Sequence, residues 1–260
     1  MKGLLLINLG SPDSTSIPDV KKYLDEFLMD KRVIGKSYLF RWILVKLIIL
    51  NFRPKKSAKA YKKIWWKEGS PLIVLSQRLF KKISKILNVH VSLAMRYGSM
   101  SIVKGLTELN NKGVRDIVVL PLYPHYAMSS YETVVEKVKD EAEKNFPDNN
   151  ISFIDPFYND PEYIKLLSKK IRDSIKNIEY DHILFSYHGI PVSHLKISDP
   201  TKKHCYKINN CCSVKSNAHK TCYKHQVIVT TELVAKNLSL DENKFSVSFQ
   251  SRLANEPWLK

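Results

Sequence analysis

Six apolar runs, rich in leucine or β-branched side chains and bounded by Gly, Pro or Asn, punctuate the chain at 3–9, 88–95, 114–122, 151–154, 182–187 and 244–249. Runs that stay apolar instead of alternating with polar residues predict strands covered on both faces. Between them the apolar positions change period. In 17–29 they fall at Val20, Tyr23, Leu24, Phe27 and Leu28, the spacing of one helix face. Similar spacing predicts helices over 71–87, 99–112, 129–145, 160–176 and 226–238. Strand alternating with helix predicts an α/β fold with parallel sheets flanked by helices. We read two Rossmann-like lobes, an N-terminal one over 1–155 and a C-terminal one over 156–260.

The stretch 39–52 departs from this pattern. Its polar positions Arg41, Lys46 and Asn51 lie five apart and step around a helix without gathering on one side. It is too short to span a bilayer, which takes ~20 apolar residues. Such a segment is either buried or presents an apolar surface.

Composition narrows the function. The chain has 260 residues, 44% of them hydrophobic, and 42 Lys+Arg against 25 Asp+Glu, a formal net charge of +17. That charge favours anionic ligands and surfaces. The lysines are scattered (Lys21, Lys55, Lys81, Lys169) instead of forming one stripe with aromatics, so no nucleic-acid module is legible. The turn after the first run, Asn8 to Pro12, has neither the spaced glycines of a dinucleotide fingerprint nor a phosphate loop, and we expect no nucleotide. No secretory signal is read at Met1–Gly3, which places the protein in the cytoplasm. The oligomeric state stays open.

One histidine is placed for chemistry. Ser186–Pro191 (SYHGIP) puts His188 on a turn at the end of an apolar run, hence at the carboxyl edge of a sheet, where open α/β folds bind ligands. An imidazole there can exchange a proton near neutral pH or ligate a metal.

Read with GLLLINLGSPD at 3–13, MRYG at 95–98, PLYPHY at 121–126, FQSRL at 249–253 and EPWL at 256–259, this turn resembles the ferrochelatases, lyases that insert ferrous iron into a porphyrin to end heme synthesis. The resemblance runs in order from Gly3 to Lys260. It implies protoporphyrin IX and Fe2+ as substrates, with coproporphyrin III as the alternative tetrapyrrole. A non-catalytic porphyrin- or metal-binding protein is the alternative from another class.

The resemblance also assigns roles. His188 matches the catalytic histidine, which accepts pyrrole protons or meets the iron. Arg53, Tyr61 and Ser70 match positions lining the porphyrin cleft; Arg96, Tyr97, Tyr123 and Tyr126 match deeper pocket positions. The apolar segment 39–52 matches a lip that touches the porphyrin edge or makes peripheral membrane contact. Leu9 stands where the family often has Met or Tyr facing the metal, and an apolar side chain cannot serve as a ligand. Family members continue past EPWL with a further strand, helices and a glutamate facing the histidine. No residue here corresponds, which implies an incomplete C-terminal lobe with low solubility and slow insertion.

All the cysteines, Cys205, Cys211, Cys212 and Cys222, lie in one insertion-like stretch, 201–226. Their spacing matches neither a zinc ribbon nor a ferredoxin pattern. The stretch holds six lysines, three histidines (His204, His219, His225) and no acid, a positive field expected to favour thiolates. It resembles the insertion of some bacterial ferrochelatases that holds a [2Fe-2S] cluster. Zinc and free thiols are the alternatives.

Overall fold

A computed structural model describes residues 1–252 and 256–259. Leu253, which closes the FQSRL motif, and Lys260 lie outside the described residues. Contacts divide the chain into two compact units: 1–122 with 129–155, and 123–128 with 156–260.

The first unit is a parallel sheet of β1 (Lys2–Gly10), β2 (His90–Tyr97), β3 (Asp116–Pro121) and β4 (Asn150–Phe153) in the order β2-β1-β3-β4. Leu5 stands beside Ser92 on one neighbour and Val119 on the other. Leu5, Leu6 and Ile7 are fully buried, which a strand achieves only when both its faces are covered. Successive side chains point to opposite faces. On one face Leu6, Leu93 and Met95 pack against Leu72, Ile73, Phe80 and Ile83 of α4 (Pro71–Ile86). On the other lies α5 (Ile102–Asn111), whose Gly105 leaves no room for a methyl group: a Cβ there would meet Leu5 Cδ1 at 2.8 Å and Ala94 Cβ at 3.0 Å.

Helix boundaries follow local chemistry. Ser16 accepts from the Asp19 N–H to start α1 (Ile17–Leu28), and Ser101 does the same for α5 through Lys104. Each cap contributes about 1 kcal/mol. At the end of β1, Gly10 adopts φ +104°, and a Cβ would lie 1.9 Å from the Tyr97 carbonyl oxygen. Only glycine permits both the dihedral and the approach of β2.

The segment 39–52 is helical throughout: α2 (Tyr38–Trp42), a π-helical run Ile43–Ile49, then α3 (Leu50–Ile64). Burial accounts for one face only. Val45 and Leu50 join Val20, Leu24 and Leu28 of α1 in a core cluster. Tyr38, Leu39, Phe40, Leu47, Ile48 and Phe52 are exposed, an unusually apolar surface.

In the second unit β5 (Ile183–His188) and β6 (Phe245–Gln250) pair in parallel, with His188 opposite Gln250. Helices α7 (Pro161–Ile175) and α9 (Tyr223–Leu238) pack together, α7 being capped by Asp160. The pattern missed α8 (Val192–Ser198), too short for a period to show, and the first turn of α9.

Candidate functional site

In the second unit His188 ends β5 and is exposed. The turn after it is pinned from several sides. Gly189 N–H donates to the Gln250 carbonyl at 2.6 Å, Val192 N–H to Pro257 at 2.9 Å and Leu259 N–H to Ile190 at 3.0 Å. The Tyr223 hydroxyl donates to the His188 carbonyl at 2.9 Å. The imidazole Nδ1 lies 2.6 Å from the Gly189 carbonyl oxygen. A carbonyl only accepts, so Nδ1 carries the proton and Nε2 keeps its lone pair. An exposed imidazole with a bare Nε2 can take a proton or meet a metal.

A half-buried wall backs this turn. His125 sits edge-on to Tyr187 at 5.8 Å and to Tyr223 at 5.9 Å. Thr230 donates to the Tyr158 carbonyl at 2.7 Å, so its oxygen accepts from His125 Nε2–H at 2.9 Å. Burial pushes the His125 imidazole down to about 4, so it stays neutral at physiological pH. Gln226, fully buried, accepts from the Tyr126 N–H at 2.7 Å and donates to the His219 and Lys220 carbonyls. Tyr123 and Tyr126 are half-buried in this same unit.

The other expected pocket residues belong to the first unit. Arg53 is exposed on α3, and Tyr61 follows two turns on; burial raises the Tyr61 phenol while the Arg53 charge draws it back. Ser70, buried, precedes α4 and lines a cavity of about 150 Å³ with Ser11, Asp13, Trp65, Gln77, Met95 and Tyr97. Arg96 is already engaged. It donates to Asp30 at 2.6 Å and to the Thr133 hydroxyl at 2.8 Å, and its guanidinium lies 4.3 Å from the Tyr97 ring centroid. Tyr97, 1% exposed, donates to the same Asp30 at 2.9 Å. Burial pushes the Tyr97 phenol well above its ordinary range. Thus Arg96 and Tyr97 form a closed network around Asp30, a residue the motifs did not single out. Leu9, at the strand end, offers no ligand atom.

The cysteines draw together within the second unit. Cys205 and Cys222 are buried in a cluster with Ile190, Leu195, Ala218 and Leu259. Cys212, half-buried, packs against the same cluster, and all four cysteines are free thiols. Contrary to the expectation from the lysines, Cys205 and Cys212 are not made acidic. Burial pushes Cys205 up to about 11, and the Cys222 contact followed by burial drives Cys212 higher still; Lys224 opposes this without prevailing. A set of side chains is nearer than a sum of lysines, so contact and desolvation win.

Asp199 organises the entry to this segment, accepting from the N–H groups of Thr201 (2.8 Å), His204 (2.8 Å) and Cys205 (2.9 Å). Burial alone would raise its carboxyl, but these donors and the Thr201 hydroxyl hold it far below the usual range. His204 and His219 reach the Cys211 carbonyl through Nε2 at 2.6 and 3.0 Å, and His225 reaches that of Cys212 through Nδ1 at 2.8 Å. Among the described residues no group of three or more His, Cys, Asp or Glu is arranged to hold a metal ion. The four thiols are free, two of them buried and two half-buried, and thiolate sulfur is a ligand type that suits iron–sulfur or zinc.

A parallel α/β scaffold with an exposed imidazole at a strand's carboxyl end has the form in which open α/β folds bind ligands. Comparison with known proteins makes this specific. The ferrochelatase family model matches residues 1–260. The chain is 48% identical to the ferrochelatase of Opitutus terrae, over 99% of this chain and 75% of the relative. It is 44% identical to that of Pseudomonas fluorescens strain SBW25, again over 99% and 75%, and 42% identical to that of Coxiella burnetii strain Dugway 5J108-111, over 99% and 72%. The chain belongs to the ferrochelatase family, lyases that insert ferrous iron into a porphyrin.

Proposed function

We propose that the chain inserts Fe2+ into protoporphyrin IX, giving protoheme and two protons, with His188 as the acceptor of the pyrrole protons. The observation that carries this is the Nδ1 contact to Gly189, which leaves the Nε2 lone pair without a partner among the described residues at an exposed strand end. Each pyrrole N–H proton passes to that lone pair and on to water, so that the nitrogen it leaves can bond iron. In this reading Arg53, Tyr61 and Ser70 of the first unit take the porphyrin-binding roles the resemblance implies, as do Tyr123 and Tyr126 of the second, and the Arg53 guanidinium is suited to pair with a propionate. Arg96 and Tyr97 support the pocket through Asp30. Anaerobic insertion assays with protoporphyrin IX and coproporphyrin III test the substrate: a higher kcat/KM with coproporphyrin would replace protoporphyrin.

Cys205, Cys211, Cys212 and Cys222 would hold a [2Fe-2S] cluster, with the all-sulfur donor set as support and a structural or sensory role. The thiols would have to shed their protons first, because thiolate is the metal-binding form. The exposed face of Tyr38–Phe52 supports peripheral contact between a cytoplasmic protein and the membrane from which an apolar porphyrin is delivered. No helix among the described residues is long and apolar enough to cross a membrane.

A further inference from the structure

We propose that Tyr223 is a positioning residue for His188 and ties its peptide group to the cysteine segment; this rests on the reading of His188 as proton acceptor. Tyr223 donates to the His188 carbonyl at 2.9 Å, across 35 positions of sequence. That carbonyl belongs to the peptide whose N–H, on Gly189, donates to Gln250 at 2.6 Å. The peptide plane is therefore gripped at both ends, and the plane sets where the imidazole and its Nδ1 partner, the Gly189 carbonyl, can lie.

Tyr223 is itself held in place. Its ring packs edge-on to the neutral His125 at 5.9 Å and lies 6.4 Å from Phe249, so removal of the hydroxyl alone leaves the packing intact. The residue before it is Cys222, 3% exposed, whose carbonyl accepts the Gln226 N–H in the first turn of α9. Cys222 shares its buried cluster with Cys205, and Cys212 packs against that cluster. A change at these thiols moves the start of α9, and Tyr223 carries that movement one residue on to the His188 peptide.

The test uses the whole chain and its Tyr223→Phe and His188→Ala variants, with two readouts. Single-turnover insertion should fall on the order of tenfold in kcat for Tyr223→Phe with porphyrin KM unchanged, the signature of a misplaced group. Selective 15N-glycine labelling, readable because the chain has eight glycines, should show the Gly189 amide displaced. Cys222→Ser should displace that amide too, and no longer do so in the Tyr223→Phe background. If His188→Ala is inactive while Tyr223→Phe keeps the parent kcat and Gly189 amide, the positioning role is wrong and the His188 reading stands. If His188→Ala turns over normally, that reading fails and the inference with it. Equal displacement by Cys222→Ser in both backgrounds would overturn the link to the cysteines.

Discussion

The Asp30 carboxylate, 6% exposed, accepts the Arg96 guanidinium at 2.6 Å, and the same oxygen accepts the hydroxyls of Tyr97 and Thr133. Its other oxygen accepts the Arg32 N–H at 2.7 Å. This network joins the loop after α1, the end of β2 and the start of α6 (Thr133–Asn145) in the first unit. Replacing one member leaves buried charge or donors unmet.

We expect Asp30→Asn to lose about 3 kcal/mol of stability at neutral pH, the lower end for breaking a buried ion pair. The sign with pH follows from the direction of the shift. Burial would raise the Asp30 carboxyl, but Thr133, the Arg32 N–H, Arg96 and Tyr97 together lower it. Its stabilisation is present above the ordinary carboxylate range and disappears as pH falls through the folded value. Urea denaturation of parent and variant should therefore differ at pH 7 and converge below about pH 4. Equal stability at pH 7 would show that the network is dispensable.

For the cysteine segment the expected outcome is visible absorption after anaerobic preparation, with two irons and two sulfides per chain, lost in Cys211→Ser and Cys212→Ser. Stoichiometric zinc without acid-labile sulfide would assign the donor set to zinc instead.

The strands were legible because both faces of the first sheet are covered, which makes Leu4 to Ile7, Leu93 to Met95 and Val118 to Leu120 read as unbroken apolar runs. His188 was legible because a strand end followed by Gly189, Ile190 and Pro191 fixes its place on a sheet edge. Asp30 was not, since Arg96 and Thr133 lie 66 and 103 positions away and only the fold brings them near. Tyr223 was hidden for the same reason. The environment of Cys205 and Cys212 was misread because a count of lysines carries no distances, and burial together with the neighbouring thiol outweighs them. In 39–52 the period gave an all-round apolar helix, whereas packing against α1 divides it into a buried and an exposed face.

That exposed face gives a membrane prediction. The parent should sediment with vesicles of mixed phosphatidylcholine and phosphatidylglycerol, and the triple change Leu39→Ser, Phe40→Ser, Leu47→Ser should weaken this at least tenfold, since each buried apolar side chain contributes roughly 1.5–3 kcal/mol. Retained binding at raised salt would point to the apolar face, and loss of binding by salt alone would assign it to the net charge instead.

The central claim is that His188 takes the pyrrole protons through its free Nε2. The most direct measurement is anaerobic single-turnover insertion of Fe2+ into protoporphyrin IX by the purified protein and by His188→Ala, with porphyrin affinity followed by fluorescence quenching. The account predicts that His188→Ala binds porphyrin within a few-fold of the parent and slows insertion on the order of 10²-fold or more, as for loss of a general base. Insertion at the parent rate by His188→Ala, with porphyrin bound equally well, would contradict it.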